Sequence, residues 1–205
     1  MWYGGYIGDT LMAREKEFDE MEALKAASKV FCEKGFEATS LHDLEQAMGL
    51  NRTSIYNAFG NKRSIFNQIL VQFVECGRQR WQELLTGSDT AREGIENLLN
   101  AVVDMNFGPN PQSCLISLSL MEKSQHDGAC QELMEQAMHA LKKLIQKRLE
   151  TAQKEGEFGQ AFDPRGVAAA ITTLFSGFMV MGKANFPKAT MRKAVQASLS
   201  LLDTD

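Results

Sequence analysis

Residues 49–61 read GLNRTSIYNAFGN and lie between two short apolar patterns of helical period. Upstream, Leu41, Leu44 and Met48 recur at three- and four-residue steps, one stripe of a short helix that Ser40 can cap. Gly49 breaks that helix and Leu50 turns back toward the stripe. Asn51 then offers a side-chain oxygen to cap a second helix whose inward positions are Ile55, Ala58 and Phe59. Two short helices joined by a Gly-containing turn make a helix-turn-helix. Arg52, Thr53, Ser54, Tyr56 and Asn57 are left on the outer face, and they supply the donors and acceptors that phosphates and base edges require. The same spacing also suits an αα-hairpin of an ordinary bundle with a solvated outer side. Charge separates the two readings. No acidic residue occurs between Glu45 and Glu75, whereas Arg52, Lys62 and Arg63 fall inside, so the net charge of -4 conceals a patch suited to a phosphate backbone.

Residues 26–66, AASKVFCEKGFEATSLHDLEQAMGLNRTSIYNAFGNKRSIF, resemble the N-terminal domain of the TetR family of bacterial transcriptional regulators. The resemblance is carried by Val30, Phe31, Lys34, Gly35 and Phe36 at the end of a first helix, by Thr39-Ser40, the Gly49 turn, Tyr56 and Phe59, and by the closing Lys62. Two positions depart from the pattern. Glu45 stands where alanine is common, and Ala58 stands where histidine is common, which removes one phosphate contact. Short hydroxyls and a lysine at helix ends suit a DNA backbone, so Thr39, Ser40, Tyr56 and Lys62 are expected on phosphates, and Arg52, Thr53 and Asn57 on base edges. Asn51 and Ser54 complete the expected DNA-binding set.

A chain of 205 residues with 44% apolar content can build a sizeable core. Cys32, Cys76, Cys114 and Cys130 show no CxxC pairing, and a chain of this size has no need of disulfide staples. A reducing compartment, the bacterial cytoplasm, is the expected location. The apolar run from Val167 to Met181 is interrupted by Thr172, Thr173, Ser176 and Gly177, and is read as too short and mixed to span a bilayer. Residues 1–11, MWYGGYIGDTL, have no helical period and read as a tail from a vector or an upstream start.

The remaining stretches predict an all-α protein of about nine helices: a three-helix DNA-binding domain over 12–61 and a C-terminal effector-binding and dimerisation domain over 62–205. A long linking helix covers 62–85, and Ser88 or Asp89 caps the next, which runs to about Phe107. A short helix is expected over 114–124, an amphipathic one over 129–155, one opened by Asp163-Pro164, and a last one from Pro187 through Leu202. The family resemblance implies a homodimer that reads a palindromic double-stranded operator, and the last two helices are its expected surface. Val167, Ile171, Leu174, Phe178 and Met181 line one stripe and Val195, Leu199 and Leu202 another, with Ala168, Ala169, Ala170, Gly177, Ala194 and Ala197 permitting close approach. A stripe buried inside one chain is the competing reading.

The resemblance also implies a small, mostly apolar effector. Met105, Phe107, Cys114, Met121, Met134, Met138, Phe175 and Met179 are the residues that could line its pocket, although core filling is the default for any one methionine. Cys114 opens a helix, where the dipole favours a thiolate, so a sensor of electrophiles or oxidants is an alternative to a packed thiol. No cofactor or metal is expected, because His126 and Cys130, four apart, have no third ligand nearby. Neither GxSxG, P-loop, HExxH nor SxxK occurs, which argues against a helical enzyme.

Overall fold

The computed structural model describes residues 18–107 and 128–203. The tail over 1–11, Cys114, Met121 and the helix expected over 114–124 lie outside the described residues. Within them the chain forms eight α-helices and a closing 3-10 turn, with no strand.

Each N-terminal helix opens on the cap its sequence offers. Asp19 opens α1 (Glu20–Lys34) by accepting from the Met21 and Glu22 amides at 2.8 and 3.3 Å. Ser40 opens α2 (Leu41–Met48) through a reciprocal capping box with Asp43. Gly49 then adopts the left-handed conformation at φ 65°, which a residue with a Cβ enters only at a cost, and the chain turns. Asn51 accepts from the Ser54 amide at 2.8 Å to open α3 (Arg52–Phe59). The three helices close on Phe31, Leu44, Ile55 and Phe59, all buried. Phe31, Phe36 and Phe66 form an aromatic cluster with ring centroids 5.0–6.0 Å apart.

The linking helix α4 (Lys62–Thr86) is capped by Asn61. Its 25 residues span about 37 Å at 1.5 Å per residue. Ile65, Phe66, Ile69 and Leu70 belong to the N-terminal body, and Trp81 and Leu85 to the C-terminal one. α5 (Ala91–Met105) follows, opened by Thr90 rather than by Ser88 or Asp89. The Ser88 hydroxyl instead donates to the Leu84 carbonyl and finishes α4. The Glu157 carboxylate covers the free amides of Ala91 and Arg92 at 2.8 and 3.0 Å, a second cap from a distant part of the chain.

The C-terminal body is completed by α6 (Gly128–Lys154), α7 (Pro164–Lys183), α8 (Lys188–Ser198) and the turn Leu199–Leu202. α7 crosses α5 closely where Gly182 meets Asn106: an added Cβ there would overlap the Asn106 side chain. Asn106 in turn donates to the Phe178 carbonyl at 3.1 Å. Asp104 of α5 holds Lys188 and Arg192 of α8 at 2.8 and 2.7 Å.

The stripe expected at the dimer surface is placed otherwise. Ile171, Phe178, Val195, Leu199 and Leu202 are buried within the single chain, Val167 and Leu174 are half-buried, and only Met181 of that set is exposed. The large side chains fill the core because α5 and α6 offer α7 an apolar surface within the same chain. Over Pro164–Gly182, α7 is also long and apolar enough to cross a membrane by length and composition, against the expectation for that run.

Candidate nucleic-acid interface

The outer face of α3 presents Arg52, Thr53, Tyr56 and Asn57, all exposed, while Ile55 and Phe59 on the opposite face are buried. Positions 52, 53, 56 and 57 form one ridge of an α-helix. A short helix packed by its back against α2, and tied to α4 through Gln68, thus offers a guanidinium, a hydroxyl, a phenol and a carboxamide together, with no carboxylate on that ridge. Ser54 is half-buried beside the cap. Asn51, at the head of α3, uses its side-chain oxygen for the cap, which leaves its amide protons to face outward.

On α2, Ser40, His42 and Gln46 are exposed beside this ridge. The Ser40 hydroxyl is held by Asp43, donating to it at 2.7 Å and accepting from its amide at 3.1 Å. The Lys34 ammonium and the Ser40 hydroxyl and amide hold the Asp43 carboxyl well below the usual carboxylate range. Asp43 is therefore ionised, with its charge offset by a lysine. His42 lies 3.6 Å from Glu45 and shares a contact at 3.2 Å with Gln46. Sequence reasoning left Gln46 out, because its position on the outer face depends on how α2 is seated.

Two residues expected on phosphates face inward. Thr39 is buried, and its hydroxyl donates to the Gly35 carbonyl at 2.7 Å. The Lys62 ammonium donates to the carbonyls of Phe36, Glu37 and Thr39 at 2.9, 3.4 and 2.9 Å, and it sits 4.5 Å from the centre of the Phe36 ring. An ammonium has three donors, and all three are taken. The cause is the bend from α1 into α2, which leaves carbonyls with no helical partner, and buried or half-buried carbonyls demand one.

The sequence matches two models that together describe this arrangement: the bacterial regulatory proteins of the tetR family over residues 23–69, and the tetracyclin repressor-like C-terminal domain over residues 91–198. The chain belongs to the TetR family. It is 28% identical over 194 residues to an HTH-type transcriptional regulator of Bacillus subtilis (strain 168), YezE, covering 94% of this chain and 100% of that one. It is 23% identical over 185 residues to the HTH-type transcriptional repressor ComR of Escherichia coli (strain K12), covering 89% and 87%. Among solved structures it superposes with a TM-score of 0.80 on the TetR family transcriptional regulator CifR, a cysteine variant complexed with 26-bp double-stranded operator DNA. That match has 26% identity and covers 91% of this chain and 98% of the other. The fold and the relatives are those of transcriptional regulators and not of enzymes.

In this TetR-family chain a cavity of about 350 Å³ opens between α4, α6 and α7. Phe73, Trp81, Met138, Leu141 and Phe175 are among its walls, with Arg78, Lys143 and Lys147 also lining it. Trp81 meets Phe175 edge-on, with centroids 5.2 Å apart. Of the residues expected at an effector pocket, Met138 and Phe175 line this cavity and Met105 lines a different one. Met134 and Met179 are core residues, because both are turned into the α5–α6–α7 packing. Phe107 is 41% exposed beneath the Lys188 ammonium, 5.9 Å from its ring centre.

The outward side of α7 carries small or exposed residues: Ala169, Ala170, Thr173, Gly177, Val180 and Met181. Leu201 and Phe186, in the segments that follow α7, are also exposed, at 41% and 45%. A Cβ added at Gly177 would meet nothing within 4 Å.

Proposed function

We propose that this protein is a ligand-responsive transcriptional repressor of the bacterial cytoplasm that binds a palindromic operator as a homodimer. The observation that carries the reading is the α3 ridge of Arg52, Thr53, Tyr56 and Asn57, exposed, free of carboxylates and presented by a helix whose other face is core. Tyr56 meets the phosphates and fixes the register, Ser40 joins it only by giving up the bond its hydroxyl donates to Asp43, and Arg52, Thr53 and Asn57 reach base edges in the major groove.

The dimer forms through the outward faces of α7 and α8 rather than through the large apolar stripe. Ala170, Thr173, Gly177 and Val180 let two α7 helices approach closely, and Met181 and Leu201 add apolar area. A helix apolar on all sides is buried on all sides, and a second copy covers the side that one chain leaves open. The two α3 helices then read two half-sites related by the dimer axis.

The effector, a small and largely apolar molecule, occupies the cavity between α4, α6 and α7. A volume of about 350 Å³ suits such a ligand, and the basic side chains in its walls favour one with an acidic group. Because α4 carries both a wall of this cavity and the seat of the DNA-binding domain, occupancy alters how that domain sits. A hundredfold loss of operator affinity requires about 2.7 kcal/mol of coupling. The test is selection of a duplex from a random pool, followed by titration at several salt concentrations: a steep salt dependence and a two-fold symmetric consensus support the reading, and neither appears if the α3 ridge is merely solvated.

A further inference from the structure

A second cavity, of about 310 Å³, lies at the joint between the two bodies, on the side of α4 turned toward α1. Its floor is apolar: Leu24 of α1, Ile69, Phe73 and Trp81 of α4, and Met105 of α5. Among the described residues, its charged ones are Lys25 and Arg80, and no carboxylate lines it. Among the described residues Lys25 pairs with Glu22 alone, one turn away at 3.2 Å with both side chains mostly exposed, a pair of little strength that can be exchanged for a better anion. Among the described residues Arg80 has no carboxylate partner; its guanidinium stands 5.8 Å from the centre of the Trp81 ring, at the edge of the same cavity. Of the acids flanking Arg80 on α4, Glu75 is taken by Arg78 through two hydrogen bonds of 3.1 and 2.6 Å, and Glu83, one turn further on, does not line the cavity.

An apolar cleft lined by two cations and, among the described residues, by no acid is complementary to a molecule with an apolar body and one negative end. We propose that the joint cavity is a second small-molecule site, taking an amphipathic monoanion such as an aliphatic carboxylate, with the carboxylate between Arg80 and Lys25 and the chain against Ile69, Phe73 and Met105. It does not depend on the effector reading, since the effector cavity lies on the other side of Phe73 and Trp81, which line both. A molecule held here contacts α1 and α4 at once, so it fixes the angle at which the DNA-binding body sits on the linking helix.

The test is calorimetric titration of the full chain with decanoate, and with decyl alcohol as the uncharged counterpart. Arg80→Gln should weaken decanoate binding at this site tenfold or more and leave decyl alcohol unaffected. Ser28→Phe, which fills the cavity from α1, should abolish the site. Ala137→Trp, which fills the cavity between α4, α6 and α7, should leave it intact, so loss of the effector site and loss of this one are read separately. Arg80 is exposed, so its variant serves if Ser28→Phe fails to fold. Absence of decanoate binding, or binding that neither Arg80→Gln nor Ser28→Phe changes, overturns the proposal.

Discussion

The Lys62 ammonium stands 2.9 Å from the carbonyl oxygen of Thr39, twenty-three residues earlier in the chain. With Phe36 and Glu37 as its other acceptors, the lysine at the head of α4 ties off the bend between α1 and α2. Removing it leaves half-buried carbonyls without donors, which costs about 1–3 kcal/mol. Lys62→Met should therefore lower the free energy of unfolding, measured in urea, by that amount, while the salt slope of DNA binding stays that of the wild type. A slope reduced by about one unit with unchanged stability would return Lys62 to the phosphates.

Acid should loosen the head of α2. Asp43 has a carboxyl held below its ordinary range by Lys34 and Ser40, so its contribution is fully present above the unfolded value of about 3.9. That contribution is lost as pH falls through the lower folded value. Unfolding followed between pH 3 and pH 7 should show no Asp43-dependent change above about pH 5, and a wild-type advantage over Asp43→Asn that shrinks below about pH 4. An advantage that grows on acidification would contradict the assignment.

Local signals placed most of the DNA-binding body. Ser40 and Asn51 are caps by chemistry, Gly49 alone tolerates the turn, and Leu44, Met48, Ile55 and Phe59 fall inward by period. The inward placement of Thr39 and Lys62 was not legible, because their partners, carbonyls of residues 35–39, become available only when α1 and α4 are brought together. Thr90 was missed for a smaller reason: Ser88, Asp89 and Thr90 are all good caps, and the choice depends on where Glu157 meets the helix. On α7 the apolar residues run almost all round, so no period distinguishes the side facing α5 from the side facing outward.

That division of α7 predicts two different failures. Gly177→Glu places a charge on the open side, where nothing in the chain obstructs it, so the protein should stay folded and sediment as a monomer. Leu199→Glu puts a charge into the core of one chain and should abolish folding rather than assembly alone. A dimer unchanged by Gly177→Glu would move the interface elsewhere.

Phe175 lies at the meeting of cavity and core, 2% exposed and edge-on to Trp81. Truncation to alanine should cost about 3–5 kcal/mol in thermal or chemical unfolding. It also enlarges the cavity between α4, α6 and α7, so toluene should raise the melting temperature of Phe175→Ala more than that of the wild type. Equal shifts would show that the walls collapse into the vacated space.

A ridge of α3 that reads DNA has to tell one duplex from another. Its most direct test is the affinity of wild type and Arg52→Ala, by fluorescence anisotropy, for a duplex selected from a random pool and for unselected duplex of equal length. A loss of about 1–3 kcal/mol is expected on the selected duplex and a much smaller loss on the unselected one. Equal losses on both would make Arg52 a phosphate contact, and no loss on either would take the α3 ridge out of the interface.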